Sequence, residues 1–300
     1  MNRITVFLIL VCAGLSLSLG VVVSRIIHAQ PASMPLSGGG NIQLGLSYDA
    51  QSKTQDSSAI QSSSALLYDG DAQMILFQKN GFERRPLASI TKLMTAMIAL
   101  DHGISWNQDA NILPSEYVEG GELILNPGET VTMKDLFNAS LLGSANNATM
   151  AYVRQLGISK EDFVQEMNRK AVELRLEQTE FHDVTGLGVQ NVSTAYEIAV
   201  MANYAFTHYP EIAQATSQKE YSFIVRGTHR EHTIRNTNKY VQTEKMNVTG
   251  SKTGFLYEAG YCLVVQGADA LKNRVAVIMN SPGEETQFVE TKRLLTMQVK

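Results

Sequence analysis

The chain has 300 residues, of which 44% are hydrophobic, and it carries a formal net charge of -4. A chain of this length is large enough for one well-buried domain, or for two lobes that share a core. Because it is slightly acidic and has no Lys/Arg cluster to neutralise a phosphate backbone, we predict no nucleic-acid partner.

The N-terminus has the features of an export signal. Arg3 precedes an uncharged apolar run from Ile4 to Ser24, and Ala29 offers a cleavage position at a small residue. The run is also long enough to span a bilayer. We therefore expect residues 1–29 to be a signal peptide or an N-terminal membrane anchor. The protein would then be exported, periplasmic or extracytoplasmic, and held at the membrane only if this segment stays uncleaved.

The composition changes between residues 30 and 63, where Ser, Gly and Gln dominate and Gly38, Gly39 and Gly40 follow one another. A segment of this kind buries too little apolar surface to order itself. We expect 30–63 to be a flexible linker and 64–300 to be the folded domain.

Strand patterns stand at both ends of that domain and helix patterns in its middle. Apolar runs flanking the turn at Asp69 predict a hairpin over Ser64–Asn80. Later strands are predicted at 221–226, 261–266 and 274–279. Helical periodicity and caps, including a capping box of Thr194 with Glu197, predict helices between them. These helices cover residues 90–100, 133–142, 146–155, 159–174 and 194–206, and an amphipathic stretch at 285–297 closes the chain.

This order of elements predicts a fold of the α/β (α+β) class. Strands from the two ends of the chain can share one antiparallel sheet flanked by helices. The middle of the chain, at about 84–215, would then form an inserted all-helical lobe. A cleft between sheet and helices is a common place for an active site.

The first motif with chemical potential is Ser-x-x-Lys, formed by Ser89 and Lys92 where a predicted helix begins. Residues three apart share a helix face, so the amine can reach the hydroxyl. A serine nucleophile needs an adjacent base, and a lysine serves when burial and a nearby positive charge lower its pKa. Backbone N–H groups at a helix start also favour an oxyanion. Alone, the motif favours a helix cap followed by a solvated lysine.

The second motif is Ser144-Ala145-Asn146, between two predicted helices. Ser144 is suited to relay a proton between Lys92 and a leaving amine. The Asn146 amide is suited to bond both Lys92 and a substrate carbonyl. Alone, these residues also fit an interhelical turn with a serine cap.

The third motif is Lys252-Thr253-Gly254, which precedes an apolar strand. On a strand bordering a cleft, Lys252 supplies positive charge and Thr253 can donate a hydrogen bond to a substrate carboxylate. Gly254 lets a substrate backbone approach, and the N–H of Phe255 is a candidate oxyanion donor. The charge on Lys252 would also favour the neutral form of Lys92. Alone, Lys-Thr-Gly is an ordinary turn.

Together and in this order, the three motifs resemble those of the penicillin-binding D-alanyl-D-alanine carboxypeptidases. The local sequence around each motif is similar to that family as well. The similar stretches are residues 85–96, 125–136, 185–187, 193–199, 250–254 and 259–264. The resemblance covers about 64–297 and implies a β-lactamase/transpeptidase-like fold, with 64–300 as a serine DD-peptidase catalytic domain.

The resemblance also implies a mechanism. Ser89 would attack the penultimate D-alanine carbonyl of a peptidoglycan stem peptide, D-alanine would leave, and water would hydrolyse the acyl-enzyme. β-Lactam antibiotics would trap Ser89 by mimicking the substrate. The free carboxylate of the terminal D-alanine would lie near Lys252 and Thr253. The family's chemistry needs no cofactor, and we predict no metal, because His229 and His232 lie in a polar stretch that reads as a turn.

Three alternatives stay open at this point. A D,D-endopeptidase that cuts peptidoglycan crosslinks uses the same three motifs. A class A β-lactamase also shares them, but it needs a carboxylate for deacylation, and no Glu-x-x-Leu-Asn stretch follows Asn146. We therefore expect slow turnover of β-lactams. A non-catalytic penicillin-sensing domain would keep the fold without releasing product.

Overall fold

This computed structural model describes residues 57–244, 246–269 and 272–298. The expected signal peptide or anchor at 1–29, and the expected linker as far as residue 56, lie outside the described residues. Within the described ranges, no helix combines the length and the apolar character needed to cross a membrane.

The centre of the domain is an antiparallel sheet of five strands. They are β1 (Ser64–Asp69), β2 (Met74–Lys79), β9 (Val248–Leu256), β10 (Gly260–Asp269) and β11 (Lys272–Ser281). Their order across the sheet is β2-β1-β11-β10-β9. The predicted sharing of one sheet by both ends of the chain is confirmed, because β1 pairs along its whole length with β11, in the register Ser64 opposite Met279 and Asp69 opposite Arg274.

Six short strands form three two-stranded sheets around this centre. They are β3 (Arg85–Pro86) with β6 (Val192–Ser193), β4 (Asp109–Ala110) with β5 (Val131–Thr132), and β7 (Glu220–Ile224) with β8 (Glu231–Arg235). The first of them ties the segment before Ser89 to a distant part of the helical region, since four α-helices lie between β3 and β6 in the chain.

Most of the helices lie between β3 and β7. They are α1 (Lys92–Asp101), α2 (Met133–Leu141), α3 (Asn146–Gln155), α4 (Lys160–Glu173), α5 (Ala195–His208) and α6 (Pro210–Ser217), followed later by α7 (Lys239–Thr243) and α8 (Glu284–Leu295). The sequence predicted α1 to α5 and α8 to within a few residues. It missed α6 and α7, which are short and begin at a proline and after an asparagine cap.

The predicted caps hold in part. Ser159 caps α4, and the Thr194 hydroxyl accepts a hydrogen bond from the Glu197 amide at 3.1 Å at the start of α5. The capping box predicted at α5 is wrong, however. The Glu197 carboxylate accepts hydrogen bonds from the Gln178 amide at 2.9 Å and the Thr179 hydroxyl at 2.6 Å, so it ties a neighbouring loop to the helix instead.

Both faces of the sheet are covered, which explains the continuous apolar runs in its inner strands. Helix α5 packs on one face and α8 on the other. Side chains alternate between the two cores along each strand: Leu66 and Val277 belong to the core of the helical lobe, and Leu67 and Ile278 to the core under α8. The edge strand β9 is left with one side free of strand pairing, and this side contacts the turn that carries Ser89.

Packing begins a few residues before Ser64. Ile60 is 3% exposed and Ser62 is fully buried. The Ser62 amide and hydroxyl both donate to the buried Glu290 carboxylate of α8, and Lys79 Nζ donates to the Ile60 carbonyl at 2.6 Å. These bonds attach the start of the described chain to the face of the sheet opposite the helical lobe.

Candidate active site

Ser89 lies in a 3-10 turn, Ala88–Thr91, that leads directly into α1. The sequence predicted Ser89 at the first turn of an α-helix, and the structure places it in this tighter turn instead. Ala88, immediately before it, has a φ of 47°. An alanine in the left-handed region is strained and persists only where its surroundings enforce it. The backbone that presents the hydroxyl is therefore held by its neighbours.

Two glycines allow those neighbours to approach. A Cβ on Gly254 of β9 would lie 3.0 Å from Ala88 Cβ and 3.1 Å from the Ser89 amide nitrogen. A Cβ on Gly186 would lie 1.9 Å from the Ala88 carbonyl oxygen, and Gly186 has a φ of 85°. A larger residue at Gly186 would overlap the turn, and one at Gly254 would require the turn to shift by a few tenths of an ångström. The edge strand and the 183–188 loop therefore clamp the Ser89 turn from two sides.

Lys92 is fully buried and makes three short contacts through Nζ. These reach Ser89 Oγ at 2.8 Å, Asn146 Oδ1 at 2.7 Å and the Thr185 carbonyl oxygen at 2.7 Å. The last two partners can only accept hydrogen bonds. In its charged form the amine donates to all three oxygens. In its neutral form the two N–H groups serve Asn146 and Thr185, and the lone pair faces the Ser89 hydroxyl. The contacts thus fit a neutral amine that accepts the serine proton.

The surroundings of Lys92 favour this neutral form. Burial is the largest cause and lowers the pKa of Lys92 well below its usual value, and the nearby Lys252 lowers it further. The Asp183 carboxylate acts in the opposite direction and raises the pKa. Desolvation and like-charge repulsion are the two effects that convert a lysine into a base near neutral pH.

Asn146 begins α3 and connects Lys92 to a surface loop. Its Oδ1 accepts from Lys92, its Nδ2 donates to the Glu119 carbonyl at 2.7 Å, and its backbone N–H donates to the Gly121 carbonyl at 2.6 Å. The 119–121 loop therefore takes one of the two amide donors of Asn146.

Ser144 and Lys252 form a second pair in the site. Lys252 is 1% exposed, and its Nζ donates to Ser144 Oγ at 2.9 Å and to the Thr253 carbonyl at 2.9 Å. Burial lowers the pKa of Lys252 to about 7. The sequence suggested a relay from Lys92 through Ser144, but the hydrogen bond of the Ser144 hydroxyl goes to Lys252. Ser144 adopts a left-handed φ of 59° between α2 and α3.

The end of β9 presents the remaining predicted residues. The Thr253 hydroxyl lies 2.6 Å from the Thr237 hydroxyl, a neighbour that sequence reasoning did not identify. Phe255 is 45% exposed, and its ring centroid lies 5.6 Å from that of Tyr257 and 4.5 Å from that of Tyr261. Thr253 and Phe255 are two positions apart on β9, so their side chains lie on the same side of the strand.

The sequence also missed the function of the 183–188 loop. Asp183 accepts hydrogen bonds from the amides of Thr185, Gly186 and Gly188, at 2.7, 2.7 and 2.9 Å. The turn brings the Thr185 carbonyl to Lys92. An aspartate followed by a glycine three positions later is a turn signature, but a turn signature does not say which carbonyl will face an amine far away in sequence.

Within the described residues, no group of three or more His, Cys, Asp or Glu side chains is placed to hold a metal ion. His229 and His232 lie on the β7–β8 hairpin, where the His232 ring packs on Phe223, with 5.3 Å between the ring centroids.

The chain belongs to the D-alanyl-D-alanine carboxypeptidase family, whose profile matches residues 50–283. It is 32% identical over 244 residues to the D-alanyl-D-alanine carboxypeptidase DacF of Bacillus subtilis, covering 79% of this chain and 62% of that protein. It is also 32% identical over 235 residues to a D-alanyl-D-alanine endopeptidase of Pseudomonas aeruginosa, covering 78% of this chain and 76% of the relative. The chain thus spans less than two thirds of the length of the Bacillus relative.

Solved structures share the fold. A penicillin-binding protein from Listeria monocytogenes, in its cefotaxime-bound form, superposes with a TM-score of 0.70 at 25% identity, over 79% of this chain and 96% of that one. A DD-transpeptidase from Streptomyces has a TM-score of 0.73 at 24% identity over the same shares of the two chains. The predicted transpeptidase-like fold is confirmed.

Proposed function

We propose that this protein is a serine-type D-alanyl-D-alanine carboxypeptidase that acts on peptidoglycan stem peptides through an acyl-enzyme on Ser89. One observation carries the proposal above all others. The buried Lys92 amine lies 2.8 Å from Ser89 Oγ and 2.7 Å from each of two oxygens that can only accept hydrogen bonds, Asn146 Oδ1 and the Thr185 carbonyl oxygen. A hydroxyl paired with a neutral, oriented base is the arrangement that nucleophilic catalysis requires.

In the proposed reaction, the Ser89 proton moves to Lys92 as Oγ attacks the carbonyl of the penultimate D-alanine. The backbone N–H groups of Ser89 and Phe255 stabilise the oxyanion. The C–N bond then breaks, and the departing D-alanine amine takes up the proton that Lys92 received from Ser89, which returns Lys92 to its neutral form. A relay of this proton through Ser144 would need its hydroxyl to turn from Lys252 toward Lys92. Water hydrolyses the Ser89 ester to complete the cycle. A β-lactam follows the same first step, but its leaving nitrogen stays attached through the ring.

Substrate recognition in this proposal depends on charge. Within the part of the chain that the structure describes, the hydrogen-bond partners of Lys92 and Lys252 are all neutral oxygens, so no carboxylate bonded there cancels a positive charge on Lys252. A terminal D-alanine carboxylate would supply the missing anion beside Lys252 and the Thr253 hydroxyl. Charge-assisted hydrogen bonds of this kind are about twice as strong as neutral ones.

The pH dependence of kcat/KM is expected to be bell-shaped. Lys92 must be neutral to take the serine proton, so activity is lost as pH falls through its pKa. Lys252 must be charged to bind the carboxylate, and since its pKa lies at about 7, its charge is lost as pH rises above that value. Release of D-alanine from a synthetic stem peptide, measured from about pH 4 to about pH 10, reports both limbs.

A peptide that ends in D-alaninamide is the matched control for the alkaline limb. Because it carries no terminal carboxylate, its cleavage should not weaken as Lys252 loses its proton. An alkaline limb of equal size for both peptides would contradict the role given to Lys252.

Cleavage of peptide crosslinks is the second candidate. Endopeptidases of Pseudomonas aeruginosa and Escherichia coli are 32% and 30% identical to this chain, and it covers 76% and 80% of their lengths. Purified peptidoglycan incubated with the protein and analysed by mass separates the two activities. Loss of one alanine from uncrosslinked peptides indicates a carboxypeptidase, and conversion of crosslinked dimers to monomers indicates an endopeptidase. If neither product forms while β-lactams still acylate the protein, a penicillin-sensing domain is the better description.

The site of action follows from the substrate. Peptidoglycan lies outside the cytoplasmic membrane, so we propose that the domain acts in an extracytoplasmic compartment. Residues 1–29 would direct the export, either as a cleaved signal peptide or as an anchor that holds the domain at the membrane.

A further inference from the structure

We propose that Asp183 is a positioning residue for Lys92. It fixes the 183–188 loop, and the Thr185 carbonyl of this loop orients the Lys92 amine. The inference rests on the proposed function, in which Lys92 is the base that activates Ser89. Among the described residues, the hydrogen bonds of Asp183 go to its own loop and to Asn191, and not to a residue of the three sequence motifs.

The first argument is the number of bonds that one carboxylate makes. Asp183 Oδ1 accepts from the Thr185 amide, the Thr185 hydroxyl and the Gly186 amide, each at 2.7 Å, and Oδ2 accepts from the Gly188 amide at 2.9 Å. The peptide unit between Thr185 and Gly186 is therefore fixed on both sides of its carbonyl. That carbonyl accepts from Lys92 Nζ at 2.7 Å. The direction of the amine depends on this turn.

The second argument is that the turn is tied to the nucleophile's own backbone. Asn191 Nδ2 donates to the Asp183 carbonyl at 2.9 Å and to the Thr91 hydroxyl at 3.1 Å, and its Oδ1 accepts from the Asp183 amide at 3.1 Å. Thr91 belongs to the same 3-10 turn as Ser89. The loop and the turn thus form one rigid unit, in which Asp183 sets the position of the carbonyl relative to the hydroxyl.

The third argument is electrostatic. The charged groups that act on Lys92 are Lys252 from β9 and Asp183 from the loop, whereas α3 contributes the neutral Asn146 and the 3-10 turn the neutral Ser89. Asp183 raises the pKa of Lys92, against burial and Lys252, which lower it. An amine with too low a pKa is a weak proton acceptor. The carboxylate therefore limits how far the basicity of Lys92 falls.

The test compares wild type, Asp183→Asn and Asp183→Ala. Asparagine keeps an oxygen for the three donors that bond Oδ1. It removes the negative charge and the hydrogen bond from the Gly188 amide. NMR of protein with ¹³Cε-labelled lysine follows the titration of Lys92 directly and needs no turnover. We expect the Lys92 midpoint in Asp183→Asn to fall by about one pH unit, at the low end of the shift produced by a nearby opposite charge. The acid limb of acylation by a fluorescent penicillin should move in the same direction.

Glu180→Gln is the matched control. Glu180 lies three residues earlier, is half-exposed, and bonds Arg84 and His182 instead of the loop amides. Its loss removes the same charge from the same region and should leave the Lys92 midpoint unchanged. Asp183→Ala loses the turn as well, so its acylation rate should fall at least about tenfold at every pH, as expected for a misplaced catalytic group. The thermal midpoint of each variant shows that it is folded.

Acylation at the wild-type rate in folded Asp183→Ala would overturn the positioning role of Asp183. Equal Lys92 midpoints in wild type and Asp183→Asn, or a shift of the same size in Glu180→Gln, would overturn its electrostatic effect on Lys92. The proposed function fails separately. If wild type releases neither D-alanine nor monomers and is not acylated, Lys92 is not a catalytic base, yet the NMR midpoint still reports whether Asp183 controls its protonation.

Discussion

Replacement of Ser89 by alanine is expected to abolish labelling by a fluorescent penicillin and to lower D-alanine release by about 10,000-fold or more. The variant removes the atom that lies 2.8 Å from Lys92 Nζ and leaves the 3-10 turn intact. Only binding and oxyanion stabilisation would remain, and neither supplies a covalent intermediate. Time courses of labelling, followed on gels and by intact-protein mass, measure the loss.

Ser222→Ala is the control for this experiment. The Ser222 hydroxyl is exposed on β7. Its hydrogen-bond partner is the Thr233 hydroxyl, at 2.7 Å, and not a residue of the 3-10 turn that carries Ser89. We expect wild-type labelling in this variant. If Ser89→Ala forms the covalent adduct at the wild-type rate, another residue is the nucleophile and the proposed function is wrong.

Most strands and helices of the fold could be predicted from the sequence because local hydrophobic patterns and caps mark them. Apolar runs such as 65–68 and 275–278 are buried on both faces of the sheet, so continuous hydrophobicity marks them in the sequence. Helix periodicity and the Ser159 cap located their elements for similar reasons. Short elements that depend on tertiary contacts were missed. Helix α7 has five residues, and such a helix is not stable by local propensity alone.

The sequence predicted which residues form the candidate site but not which of them bond to each other. Motif spacing is sufficient to name Ser89, Lys92 and Lys252. It does not reveal that Ser144 bonds Lys252, because that contact joins residues 108 positions apart. The Glu197 carboxylate is a similar case, since its local pattern favoured a capping box and a tertiary partner won. Contacts between distant segments are decided by packing, and sequence pattern carries little information about packing.

Gly186→Ala is expected to be the most damaging change outside the three motifs. The new Cβ would lie 1.9 Å from the Ala88 carbonyl oxygen and 2.5 Å from the Ala88 carbonyl carbon. Both are backbone atoms of the 3-10 turn that carries Ser89. No rotamer relieves such an overlap, so either the loop or the turn must move. A displacement of about 1 Å costs about 100-fold in rate when it separates a nucleophile from its base. Acylation and D-alanine release should fall together by at least about that factor.

Gly157→Ala separates this steric effect from the cost of the left-handed backbone. Gly157 has a φ of 74°, close to the 85° of Gly186, but a Cβ there meets nothing within 4 Å. Both variants carry the conformational penalty of about 1–2 kcal/mol for alanine in this region, so both should unfold at lower temperature. Only Gly186→Ala should lose activity, since only its Cβ displaces the Ser89 turn. Equal activity in the two variants, measured on folded protein below the unfolding transition, would mean that the 183–188 loop does not hold the nucleophile in place.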